Sequence, residues 1–127
     1  MKRQLIALLA SGVFVATTGA AMAHHSFAMF DKNNPIELDG TVQEFKYTSP
    51  HSFIVLEVKD QDGDATVWNL EGAAPNALER AGWTSMALKP GDQIKLTIEP
   101  LRSGAPGGSW NAEKVEFKDG HPIVVSH

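Results

Sequence analysis

The feature that most restricts how this chain can fold is one short helical signal set inside an otherwise β-patterned sequence. Pro75 suits the first turn of a helix, and Gly82 suits the left-handed position that ends one. About two turns fit between them. Ala77, Leu78 and Ala81 are expected to face the core.

On either side the two-residue period of strands takes over. Residues 36–47, IELDGTVQEFKY, read as a first strand in which Gly40 is expected to make a bulge or sharp bend, and Thr48-Ser49-Pro50 breaks it. In SFIVLEVKD, Phe53 and Val55 point one way and Ile54, Leu56 and Val58 the other. Asp62-Gly63 is a hairpin turn, so ATVWNLE should return antiparallel with Trp68 and Leu70 on one face. Beyond the helix, Pro90-Gly91-Asp92 turns into QIKLTIE, with Ile94, Leu96 and Ile98 inward. A last strand runs from Trp110 to Phe117, and its apolar phase slips between Ala112 and Val115, which predicts a bulge. Three strands, a helix and two strands is the order of an all-β, five-stranded, OB-fold-like Greek-key barrel with a helix plugging one end. A plain antiparallel sandwich is the competing arrangement.

Residues 1–23 have the form of a secretory signal peptide: Lys2 and Arg3, an apolar stretch, then Ala21 and Ala23 before the cut. The apolar stretch is short and interrupted, so no membrane span is expected in the mature form, whose location should be periplasmic. The expected organisation is an N-terminal arm at 24–35 and a barrel domain at 36–127. After position 23, nine Lys and Arg face fifteen Asp and Glu, a net charge of −6. That balance argues against nucleic acid as a partner, because a phosphate backbone needs a basic face. With no cysteine, any metal must be bound through nitrogen or oxygen.

The blocks HHSFAMFD, GTVQEFKYTSPHSF, WNLEGAAPNALERAGW and LKPGDQIKLTI, in that order, resemble a family of small exported bacterial proteins classed as a periplasmic domain of unknown function. His24, His25, Pro50, His51, Trp68, Glu71, Pro75, Gly82 and Trp83 match its pattern. Tyr47 and Ser49 depart from it, standing where the family has tryptophan and asparagine. The resemblance implies an exported protein and no particular activity.

Cleavage after Ala23 would leave the α-amine and imidazole of His24 on one residue, able to chelate a metal together. A third nitrogen from another histidine would complete a T-shaped set suited to Cu(II), similar to the histidine brace of copper-carrying exported proteins. The candidate metal ligands are His24, His25 and His51. If residues 32–35 reverse the chain, the arm runs back beside the first strand, and its start approaches His51, which Pro50 would help to orient. The opposing reading is a solvated terminus and a loop histidine. His121 and His127 are assigned surface roles.

Other signals are weaker. Asp60, Asp62, Asp64 and Glu71 have carboxylate spacing like that of a calcium loop, but Ala65 stands where glycine is required. Tyr47, Trp68, Trp83 and Trp110 could line a ligand groove, in which case the same barrel without metal would recognise a protein or saccharide. No catalytic motif is present, so an enzyme is the least expected class, and a copper oxidase would need the brace together with a substrate surface.

Overall fold

The computed structural model describes residues 28–124. Its elements are β1 (Ile36–Lys46), β2 (Phe53–Lys59), β3 (Ala65–Glu71), α1 (Pro75–Arg80), β4 (Gln93–Pro100) and β5 (Gly107–Phe117). The strands close into a barrel in the order β1-β2-β3-β5-β4. Every neighbouring pair is antiparallel except β3 and β5, which run parallel where Asn69, Leu70 and Glu71 meet Gly107, Gly108 and Ser109. This is an OB-fold-like barrel with one short helix, not a sandwich. Among the described residues, no helix is long and apolar enough to cross a membrane.

Closure depends on β1 serving two partners. Its first half pairs with β4, and its second half, from Thr41, pairs with β2. The bulge falls at Gln43, because Val42 faces Leu56 while Glu44 faces Val55. Gly40 therefore does not form it, and pairs in regular register with Ile94. Its need for glycine is close approach: a Cβ there would lie 2.5 Å from the Glu57 carbonyl oxygen. The irregularity in β5 lies where the phase slip placed it, since β4 advances from Leu96 to Ile98 while β5 goes from Val115 to Trp110.

Strand alternation fills the interior. Ile54, Leu56, Leu70, Ile94, Leu96 and Ile98 are each 2 % exposed or less. From α1 only Leu78 is buried. Ala77 is half-buried, but Ala81 is exposed, contrary to expectation, because the helix stops at Arg80 and leaves Ala81 as its cap. The N–H of Gly82 donates to Glu79 O and that of Trp83 to Leu78 O, both at 2.9 Å, with Gly82 at φ 87°. This paired closure reverses the chain and carries Trp83 into the core.

The arm follows a path the sequence reading did not foresee. Phe30 bridges Leu101 antiparallel, Asp31 N–H donates to Pro100 O at 2.8 Å, and Arg102 N–H donates to Met29 O at 2.8 Å. Residues 28–30 thus lie in line with β1 along the same side of β4. Residues 31–35 bow outward between them and do not reverse the chain. Asp31 holds that bow together, accepting from the Asn33 N–H at 3.1 Å and the Asn34 side-chain amide at 2.9 Å.

Candidate functional site

His51 lies in the turn between β1 and β2, and backbone hydrogen bonds tie this turn to the end of β3. Ser52, fully buried, donates its N–H to Ala73 O at 3.1 Å and accepts from Gly72 N–H at 2.8 Å. Thr48 Oγ1 donates to His51 O at 2.8 Å, and the Ser49–Pro50 peptide is cis. So anchored, His51 Nδ1 stands 3.5 Å from Oε1 of Glu71, the last residue of β3. Glu71 is itself paired on both sides, with Phe53 and with Ser109.

This pair opens onto a cleft of about 240 Å³. Its floor is a row across three strands, Glu71, Ser109 and Glu99. His51 borders one side, and Phe30 and Lys32 of the arm border the other. The His51 side chain is 53 % exposed, open to an incoming ligand. The arm and His51 are thus brought to one cleft, by the route along β4 and not by the expected reversal.

His24 and His25 lie outside the described residues, as do the signal segment and His127. Among the described residues, no group of three or more histidine, aspartate or glutamate side chains could hold a metal unaided. His121 is a surface residue, its Nδ1 2.8 Å from Asp119 Oδ2. The contact and the backbone N–H of His121 hold the Asp119 carboxyl below its ordinary pKa, the backbone hydrogen bond being the larger cause. Asp60 does not belong to a calcium loop: its Oδ1 accepts the N–H groups of Asp62 and Asp64, each at 2.9 Å, and so closes the β2–β3 turn.

The four aromatics do not form an open groove. Trp83 and Trp110 are 2 % and 4 % exposed, with ring centroids 5.1 Å apart, and Phe45 packs edge-on to both. Tyr47 packs edge-on to Phe45, and its hydroxyl points to Pro75 O at 3.2 Å and Trp83 O at 3.5 Å. Burial, then the neighbouring Glu79, raise its pKa and keep it a donor. Trp68 faces inward opposite Leu56, half-buried. The helix closure delivers Trp83 into the barrel mouth, which makes this cluster a plug. Only Trp110 also reaches the His51 cleft. Its Nε1 is a buried donor with no acceptor among the described residues, and a Cβ on Gly72 would collide with the same indole.

The sequence reading missed Glu71, Glu99 and Ser109 as neighbours in one site. The outward phase of Glu99 was legible, and Glu71 ends the strand that the Asp62-Gly63 hairpin pairs with the residues just after His51. The meeting of β3 with β5 was not, because parallel pairing leaves no local mark.

The model of a family of unknown function, DUF6152, matches residues 12–111. No curated protein matches. Two crystal structures of the mitochondrial single-stranded DNA binding protein Rim1 from S. cerevisiae are similar: one at 7 % identity and TM-score 0.48, covering 67 % of this chain and 94 % of that one. The other, selenomethionine-labelled, has 10 % identity and TM-score 0.45, covering 67 % and 93 %.

Proposed function

Because the chain belongs to the DUF6152 family, whose function is unknown, we propose its role from its own residues: an exported, non-enzymatic module that binds copper through His24, His25 and His51. The observation that carries this reading is the shared cleft, which has His51 on one side and the arm residues Phe30 and Lys32 on the other. A nitrogen-only donor set, with an amine and imidazoles and no thiolate, suits Cu(II). Export follows from the signal-like residues 1–23, whose cleavage would free the amine of His24.

The test begins with the intact mass of the periplasmic protein, which reports whether His24 is residue one. Cu(II) titration with electron paramagnetic resonance then reads nitrogen ligation. A Gly-Ser extension before His24 removes the terminal chelate and keeps every side chain, and His51→Ala removes the third nitrogen. Unchanged copper affinity in both variants overturns the reading.

One observation favours a second reading, in which the same cleft takes a saccharide without metal. Phe30 and Trp110 border a floor of Glu71, Ser109 and Glu99, apolar surfaces beside hydroxyl-binding groups. Saccharide binding by metal-free protein, unaffected by the Gly-Ser extension, would select it.

A further inference from the structure

We propose that Glu71 is the positioning residue of this site: its carboxylate, facing Nδ1 of His51 across 3.5 Å, keeps the ring's proton on that nitrogen and thereby makes Nε2 the atom offered to copper. The proposal rests on the copper reading above for its metal, and on the geometry of the two side chains for everything else.

A neutral imidazole carries one proton on two nitrogens, and its neighbours decide which nitrogen holds it. An ionised carboxylate can only accept. With Oε1 3.5 Å from Nδ1, Glu71 therefore favours the tautomer protonated at Nδ1, leaving the lone pair on Nε2. The contact with Glu71 is made at Nδ1 and leaves Nε2 on the other edge of the ring, on a side chain 53 % exposed.

An exposed His–Glu contact contributes little to stability by itself, so its proximity must be shown to be built in. The backbone supplies that. Ser52 exchanges hydrogen bonds with Gly72 and Ala73, the two residues after Glu71, while Glu71 pairs with Phe53, two residues after His51. Ser109 fixes the other side of Glu71. Neither residue can move far from the other without breaking the β2–β3 ladder. Both also line the cleft that the arm borders.

A carboxylate behind a metal-bound histidine orients the ring and raises its basicity, and losing such a partner costs about 10–100-fold in metal affinity. The experiment uses the processed protein, Glu71→Gln, and Glu113→Gln as a control for lost charge, since Glu113 is exposed on β5 outside this cleft. Two-bond 1H–15N correlation of metal-free protein at about pH 8.5, where an ordinary imidazole is neutral, reads the His51 tautomer. Wild type should show the Nδ1-protonated form and E71Q a mixture. Cu(II) titration should then give E71Q an affinity roughly 10–100-fold below wild type and E113Q. A wild-type ring protonated at Nε2, or an E71Q affinity equal to that of E113Q, overturns the role of Glu71. Absence of histidine coupling in the wild-type copper spectrum overturns the copper reading instead, and the tautomer measurement separates the two because it needs no metal.

Discussion

Gly72 separates the cleft from the tryptophan plug, and replacing it with alanine should disturb both. The added Cβ would run into the pyrrole side of the Trp110 indole, against Cε2, Nε1 and Cζ2. Trp110 has little room to retreat, because Trp83 packs 5.1 Å away and Phe45 6.3 Å away, centroid to centroid. Overpacking of this kind costs about 1–3 kcal/mol. Gly72 is not among the glycines at positive φ, so alanine also stiffens the unfolded chain, an offset of roughly 0.4–1 kcal/mol. The net expectation for Gly72→Ala is a loss of about 1–2 kcal/mol, or roughly 4–16 °C in Tm for a domain of this size.

Trp110→Leu supplies the refuting comparison. It removes the ring atoms that the new methyl would strike, and it removes the unpartnered Nε1–H. Burying that donor unsatisfied costs about 1–3 kcal/mol, so its removal partly offsets the packing lost with the larger ring. In the double variant the methyl occupies space the indole has vacated. The two substitutions should therefore be non-additive by about 1–2 kcal/mol, the double variant being more stable than the sum of the singles. Urea unfolding followed by far-ultraviolet circular dichroism avoids reliance on tryptophan emission. Additivity within about 0.5 kcal/mol would show that Gly72 and Trp110 do not compete for the same space.

Three further outcomes can be checked. Leu78→Ala empties the only buried position of α1 and should cost about 2–5 kcal/mol by chemical denaturation; a loss under about 1 kcal/mol would mean that the helix does not seal the barrel. Tyr47→Phe should cost about 1 kcal/mol by removing the hydroxyl that links β1 to the two ends of the helical segment, with no change in copper affinity. The Asn34 side-chain amide foremost, then the Asn33 N–H and Arg102, hold the Asp31 carboxyl below its ordinary pKa against opposing desolvation. The unfolded chain therefore binds the proton more readily, so this stabilisation is complete above the ordinary aspartate value and is lost as pH falls through the lower folded value, below about pH 4. Amide-exchange protection of Asp31 and Arg102 should fall in that window relative to β4; protection that tracks β4 down to about pH 2 would separate the bow from the arm's attachment.

The barrel was legible because its signals are local. Ile94, Leu96 and Ile98 alternate cleanly, Asp62-Gly63 marks a hairpin, and Pro75 and Gly82 bracket a helix at the position the fold requires. Gly40 was misread for an identifiable reason: a glycine inside a strand can signal either a bulge or close backbone approach, and only the partner strand distinguishes them. Whether the aromatics line a groove or plug the barrel was not legible, because tryptophan spacing does not reveal whether a ring faces the barrel mouth or solvent. The cleft was invisible because its floor joins residues 71, 99 and 109 through the β3–β5 and β4–β5 contacts. His51 was a candidate from its motif, but its neighbour Glu71 depends on the register of the β2–β3 pair.

The observed path of the arm changes what the copper reading demands. A chain reversed at residues 32–35 would carry His24 along β1, and the two lengths would have to match. Instead Phe30 is fixed at Leu101, and the cleft crosses β3, β5 and β4 to reach His51. Three inter-strand steps, from the arm across β4 and β5 to β3, amount to about 14 Å, while the six residues from His24 to Phe30 can span roughly 20 Å when extended. The N-terminal amine thus needs only enough slack to cross the cleft, with no matched register. Inserting Gly-Gly after Phe27 should accordingly leave copper affinity within about threefold of wild type, because each doubling of a flexible segment costs only about 0.6 kcal/mol in closure. The Gly-Ser extension before His24 is of equal length but abolishes the terminal chelate, so the two insertions should differ sharply. Equal, large losses from both would mean that the arm approaches His51 by a rigid, measured route, and the account of a slack tether across the cleft would fail.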